Sequence, residues 1–299
     1  MKMKKTKGII LAGGAGSRLY PLSKIYSKQL VAVYDKPMIY YPFSMLISVG
    51  INEILIISDE NTLPFYEKLF GNGNDLGLEI SYALQKEPNG IAEAFIIGEK
   101  FIGNDNVALI LGDNIFYGNI SFFTNAVKNN KIATIFAIYV KEPERYGVIE
   151  FDKDNNPISI IEKPKEFVSN FAVPGFYIYN KSVVEIAKKL KPSARNELEI
   201  TDINQHYLTQ GTIDVIKIKQ GVAWLDCGTP ESLLDASNLI ASIEQRQGLK
   251  IACPEEAALN QNFLTIEKFK EYLNSIPNCD YKKYLENILK KYKDYENIK

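Results

Sequence analysis

Gly8-Ile9-Ile10-Leu11-Ala12-Gly13-Gly14-Ala15-Gly16-Ser17-Arg18-Leu19 follows a short basic lead at the start of the chain. Ile9, Ile10 and Leu11 form an apolar run that reads as a buried strand, and glycines follow at once. Gly accepts φ > 0 and lets the backbone approach a ligand with no Cβ in the way. The amides of such a turn can face phosphate oxygens. Arg18 ends the stretch with a planar cationic fork suited to phosphate. A tight strand-to-helix turn without a ligand uses the same glycines, so the pattern alone leaves both readings open.

Two familiar glycine loops do not fit. The dinucleotide fingerprint G-x-G-x-x-G, counted from Gly14, meets Leu19 where its third glycine belongs. Asp59 and Glu60 lie beyond the usual spacing of about 20 residues to the ribose-binding acid. No Gly-Lys-Ser/Thr follows the loop, so it is not a P-loop either. Hydride transfer and P-loop hydrolysis lose ground together.

Further along, Glu53 to Ser58 and Val107 to Leu111 are near-continuous apolar runs, as suits parallel strands covered on both faces. Phe43, Leu46 and Ile47 have helical spacing, with Gly50 placed as a C-cap, and Ala92 to Ile97 supplies another helix before Gly98. Ala133 to Val140, Gly147 to Phe151, Ser159 to Ile161 and Phe176 to Tyr179 read as further strands. The order predicts an α/β fold: a doubly wound, mostly parallel mixed sheet, Rossmann-like, with inserted hairpins and C-terminal helices. Its ligand crevice is expected at the carboxyl ends of the strands. Thr229-Pro230-Glu231 is a strong helix start, with Leu233, Ala236, Ile240 and Ile243 on one face until Gly248. Tyr281, Leu285, Ile288, Tyr292 and Tyr295 mark a last amphipathic helix with a Lys-rich solvated face. The expected organisation is a core over residues 1–228, with halves 1–131 and 132–228, and a helical segment 229–299 packed on it.

The 299 residues carry 35 basic and 36 acidic side chains. Such balance argues against indiscriminate nucleic-acid or membrane binding, so any polyanion is expected to be small and held locally. The apolar run Ile9 to Ala12 is too short for the h-region of a signal peptide. No segment approaches the ~18 apolar residues of a membrane span. Cys227, Cys253 and Cys279 are widely spaced and odd in number, which indicates neither a disulfide framework nor a metal knuckle. A reducing, cytoplasmic setting is expected. The single histidine, His206, disfavours zinc chemistry and His-based triads.

Two carboxylates end apolar runs: Asp113 in Leu109-Ile-Leu-Gly-Asp-Asn114 and Asp226 in Ala223-Trp-Leu-Asp-Cys-Gly-Thr229. Acids after strands often serve only as turn formers or helix caps. As a pair without a partnering His they suit hard, oxygen-ligated Mg²⁺ shared with substrate phosphates. Cys227 has no suitable base and reads as a buried thiol. Lys28 and Lys163 lie beside apolar stretches, where spacing alone says little.

The resemblance becomes specific when motifs are read together. Leu11 to Leu19, Ser27-Lys-Gln-Leu30, Tyr34-Asp-Lys-Pro-Met-Ile-Tyr-Tyr-Pro42 and Leu111-Gly-Asp-Asn114 are similar to sugar nucleotidyltransferases. So are Pro143-Glu-Arg-Tyr-Gly-Val148, Glu162-Lys-Pro164, Glu197-Leu-Glu-Ile-Thr-Asp202 and Trp224 to Thr229. Together they resemble the glucose-1-phosphate thymidylyltransferase family over nearly the whole chain. The resemblance implies transfer from dTTP to glucose 1-phosphate, giving dTDP-glucose and pyrophosphate on the way to dTDP-rhamnose and related deoxysugars. It also implies Mg²⁺ and a homotetramer; the balanced charge leads us to expect no nucleic-acid or membrane partner.

Carried over position by position, it assigns Leu11, Gly13, Gly14, Ser17, Arg18, Lys28, Gln85, Gly90, Asp113 and Asn114 to the nucleotide. Tyr146, Gly147, Glu162, Lys163, Val173, Tyr177 and Arg195 fall to the sugar phosphate, and Asp113 and Asp226 to the metal. Arg18, Lys28, Lys163, Asp113 and Asp226 would carry catalysis. Gln85 would reject cytosine but not distinguish uracil from thymine, which leaves a uridylyltransferase as the alternative; a non-catalytic sugar-nucleotide sensor is another. Ala32 stands where the family pattern has Pro, and Asn119 where it has His in a peripheral effector region.

Overall fold

The computed structural model describes residues 5–14, 16–25 and 27–296, with side chains to residue 292. Ala15 of the glycine run and the Tyr295 side chain lie outside the described residues. The strand Thr6–Leu11 pairs in parallel with Glu53–Ser58 on one side and Asn106–Leu111 on the other. Glu79–Leu84 extends the parallel half beyond Glu53–Ser58. Alternation of side chains decides why these runs are apolar throughout. Ile10, Ile54, Ile56, Ala108 and Ile110 enter one buried cluster. Ile9, Leu11, Leu55, Ile57, Val107 and Leu109 enter another on the opposite face. Both faces are covered, so a period of two leaves no polar positions.

Beyond Asn106–Leu111 the sheet turns antiparallel. Phe176–Tyr179 pairs with it and with Ala133–Tyr139. Gly147–Phe151 and Pro157–Glu162 form an antiparallel pair at that edge. Among the described residues the sheet has ten strands. It is a mixed sheet wrapped on both faces, the α/β architecture expected from the alternating runs.

Thr229 caps the helix Pro230–Gln247 through a reciprocal bond pair with Ser232, and Gly248 ends it in the left-handed region. The last helix, Asp280–Glu296, sends Leu285 and Ile288 into the same cluster as the first sheet face. Its apolar stripe is therefore covered by its own chain. No helix among the described residues is long and apolar enough to cross a membrane.

Candidate active site

The carboxyl ends of the strands open onto a cleft of about 680 Å³. At one end of it, Leu11 leaves the sheet and Ala12 is pinned between Ile57, whose carbonyl its N–H reaches at 2.8 Å, and Ser58, whose hydroxyl donates to its carbonyl at 2.9 Å. Gly14 and Gly16 then take φ of +107° and +56°. The loop opens into a 3-10 turn, Ser17–Leu19, with Leu19 buried as its anchor. Further short 3-10 turns follow it, and no long helix.

Asp113 and Asp226 meet in this cleft through backbone pairing. The strand Asn114–Tyr117 pairs antiparallel with Ala223–Asp226, setting Asp226 opposite Asn114. The Cys227 N–H then donates to the Asp113 carbonyl at 3.0 Å. Lys28 pairs with Asp113 Oδ2, and Asn114 Nδ2 donates to Asp113 Oδ1 at 2.9 Å. Burial works to raise the Asp113 pKa, yet the Lys28 charge and these hydrogen bonds outweigh it and hold the carboxyl below its ordinary value. Asp226 goes the other way: burial, helped by the nearby Asp113 charge, raises its pKa despite Arg145. Cys227 is fully buried, and burial with both carboxylates nearby pushes its thiol far above the ordinary range. It is an inert thiol, not a nucleophile.

Gln85 and Gly90 line the same cleft as Gly13, Gly14, Ser17, Arg18 and Lys28. A Cβ on Gly13 would come within 2.9 Å of Gln85 Oε1, so that glycine lets loop and amide meet. Gly90, at φ +105°, has Leu198 backbone atoms where its Cβ would stand. Arg18 reaches across to Gly228, whose Cβ would lie 2.8 Å from Nη2 and 3.7 Å from Asp226 Oδ2.

At the other end, Tyr146, Gly147, Glu162, Lys163, Val173 and Tyr177, the residues expected at the sugar phosphate, line the cleft. Glu162 accepts from the Thr201 hydroxyl at 2.6 Å and from Arg195 at 3.1 Å. Lys163 holds a left-handed backbone, φ +42°, braced by its N–H to the Tyr146 carbonyl at 2.9 Å. Arg195 does not line the cleft; it is bound to Glu199, Glu197 and Glu162 and sits behind the last of these. Asn114 lines the cleft, but its Oδ1 is held by Gly175 N–H at 2.9 Å and Trp224 Nε1 at 2.6 Å. Asn119 accepts from Ser121 N–H at 2.9 Å at the start of the helix Ser121–Asn129.

Arg145 and Trp224 line the cleft too, although the resemblance implies no role for either. Arg145 Nη2 lies 3.4 Å from Asp226 Oδ2, and its guanidinium sits over the Tyr146 ring. Trp224 packs on Tyr146 with ring centroids 4.8 Å apart. Their signal was membership of motifs already singled out. Thr201 and Asn204 also line the cleft, and the buried Asn204 Nδ2 has no hydrogen-bond partner there.

Among the described residues no group of three or more His, Cys, Asp or Glu is placed to hold a metal. Two carboxylates fit a hard cation that completes its shell with substrate phosphate oxygens and water.

A glycine loop, a cationic cleft and paired acids at the strand ends are the parts of a phosphate-transferring enzyme. The chain belongs to the nucleotidyl transferase family, whose profile matches residues 7–243. Within it, the glucose-1-phosphate thymidylyltransferase of Neisseria meningitidis is 50% identical over 95% of this chain and 100% of the relative. The enzyme of that name from Mycolicibacterium smegmatis is 48% identical over 95% and 99%. A Bacillus anthracis structure named for the same activity, in complex with sucrose, is 42% identical with a TM-score of 0.73, covering 78% of this chain and 94% of that one. A UDP-glucose pyrophosphorylase bound to UDP-glucose is 26% identical with a TM-score of 0.71, covering 81% and 100%.

Proposed function

We propose that this chain joins dTTP and glucose 1-phosphate into dTDP-glucose and releases pyrophosphate, with Mg²⁺ as its metal. The observation that carries the reading is the meeting of Asp113 and Asp226 in one cleft with the glycine loop, Arg18 and Lys28. The relatives named above, matched over nearly their whole length, support it.

The sugar phosphate is its own nucleophile. Its second pKa is about 6, so it arrives ionised and needs no general base, in keeping with a chain that has one histidine. The difficulty is bringing a dianion to the α-phosphorus of a polyanion, which makes catalysis a matter of positioning and charge neutralisation. Asp113 and Asp226 would hold Mg²⁺, which when bound would supply positive charge to offset the repulsion of the reacting phosphates. Arg18 and the loop amides steady the departing pyrophosphate; Lys28 orients Asp113 and faces the triphosphate. Lys163 takes the sugar phosphate, while Glu162, oriented by Thr201 and Arg195, accepts from sugar hydroxyls.

The second reading is a uridylyltransferase, favoured by the likeness to the UDP-glucose enzyme and by an amide at Gln85 that meets the same edge on uracil and thymine. A methyl-sized pocket discriminates by only ~1–3 kcal/mol, so some UTP use is expected. Pyrophosphate release with dTTP and UTP, each against glucose 1-phosphate, separates the two by kcat/KM. No release with either triphosphate would leave a non-catalytic sensor. Free thiols at Cys227, Cys253 and Cys279 support a reducing, cytoplasmic setting. A homotetramer completes the proposal, with sedimentation as its test. So does the division into a core over 1–228 and a helical segment over 229–299, with limited proteolysis as its test.

A further inference from the structure

Gln85 is buried at the end of the strand Glu79–Leu84, and its backbone N–H is fixed to the Ser58 carbonyl at 2.8 Å. A primary amide can present itself two ways round, with its oxygen and nitrogen exchanged, and these read opposite base edges. The neighbour that decides between them is Glu93, in the first turn of the helix Glu93–Ile97. Glu93 Oε2 accepts from Gln85 Nε2 at 2.7 Å, and Glu93 Oε1 accepts from Asn89 Nδ2 at 2.9 Å. A carboxylate only accepts, so the amide nitrogen must face Glu93 and the amide oxygen must face away, toward Gly13. One N–H of Gln85 is thereby engaged, leaving a carbonyl oxygen and one N–H for a base.

Glu93 is not among the cleft-lining residues. It faces a separate cavity of about 300 Å³ behind the Asn89–Gly90 loop, shared with Ile96, Ile97 and Leu198. It therefore acts through Gln85 and Asn89 and not by touch.

We infer that Glu93 is a positioning residue for base selection: it fixes the sense in which Gln85 presents its amide. The amide oxygen, on the Gly13 side, accepts the N3–H of thymine or uracil, whereas cytosine offers a lone pair at N3 and is repelled. Through Asn89 the same carboxylate holds the turn carrying Gly90, so one group sets both sides of the base slot. This rests on the nucleotidyl-transfer reading, and wild-type turnover with dTTP tests that reading separately.

The experiment compares wild type, Glu93→Ala and Glu93→Gln in pyrophosphate release with glucose 1-phosphate and either dTTP or dCTP. Glu93→Ala is expected to raise the dTTP KM about tenfold, the loss of one oriented hydrogen bond. Its kcat at saturation should stay close to wild type, and its preference for dTTP over dCTP should fall by a similar factor. Glu93→Gln can offer Gln85 either its oxygen or its NH₂, so it keeps a hydrogen bond but no longer fixes the sense of the amide: KM should recover most of its loss, while the preference for dTTP over dCTP stays reduced. Should the alanine variant not fold, Glu93→Leu, which keeps bulk but no acceptor, carries the same expectation. Unchanged KM and unchanged preference in a folded Ala or Leu variant would overturn the inference, as would a Gln variant that keeps the full wild-type preference. A wild type with no dTTP turnover would strike the underlying reading instead.

Discussion

The backbone N–H of Cys227 donates to the carbonyl of Asp113 across 3.0 Å. That bond continues the ladder of Asn114–Tyr117 with Ala223–Asp226, so two acids distant in sequence are neighbours by backbone geometry. Burial and the Asp113 charge raise the Asp226 pKa, so folding works against its ionised form. Asp226→Asn should therefore leave Tm unchanged or raise it, while kcat falls by a hundredfold or more, the scale of losing one electrostatic element of catalysis, ~3–4 kcal/mol. Thermal unfolding and pyrophosphate release on the same sample check both halves. A destabilised, active variant would contradict the assignment.

Arg18 sits against Gly228 with no room for a Cβ between them. The atom in the way is the end of a flexible side chain, so Gly228→Ala should fold normally but displace the guanidinium. Misplacement near 1 Å can cost up to about a hundredfold in rate, and a fall in kcat of at least about tenfold is expected. Arg18→Ala should lose about a hundredfold or more. Steady-state kinetics at saturating dTTP decides, and near-normal turnover in the alanine variant would remove Arg18 from its role.

Lys163 carries its ammonium on a left-handed backbone directly before Pro164. Strain of this kind persists where surrounding structure over-determines it. Lys163→Ala is expected to lower kcat by about a hundredfold or more, as for other donors to a developing phosphate charge. Turnover within a few-fold of wild type would show that the sugar phosphate is held elsewhere.

Away from the cleft, Asp35 and Glu244 share Lys36 and Lys250, tying the Tyr34–Pro37 turn to the helix Pro230–Gln247. Burial works to raise the Asp35 pKa, but the bonds and charges of Lys250 and Lys36 prevail and lower it. A carboxyl depressed by folding stabilises fully above its unfolded pKa, about 3.9, and loses that contribution as pH falls through the folded value. Asp35 is exposed, so solvent screens its pairs, and Asp35→Asn should cost about 0.5–1 kcal/mol at neutral pH. The difference from wild type should shrink on acidification below pH ~4. Urea unfolding across that range measures it; a gap that grows toward acid would contradict the sign.

Strands buried on both faces were legible because burial leaves no polar positions, as in Glu53–Ser58 and Asn106–Leu111. The helix at Pro230 was legible because its cap is local, Thr229 to Ser232. The short strand Asn114–Tyr117 was not, since only its distant partner Ala223–Asp226 makes it a strand. Asn114 read as a nucleotide contact, yet its oxygen bonds Gly175 and Trp224, partners that only the fold supplies. Arg145 is not legible as a site residue from its own motif, because its pairing with Asp226 spans 81 residues.

The most direct measurement is pyrophosphate release from dTTP and glucose 1-phosphate during a Mg²⁺ titration after exhaustive chelation, for wild type and Asp113→Asn. Wild type should fall to background without metal and recover as Mg²⁺ returns. The variant should stay at least about a hundredfold slower at every concentration. Full turnover in the chelated enzyme, or an Asp113→Asn variant that matches wild type, would contradict a shared cation gripped by the two acids.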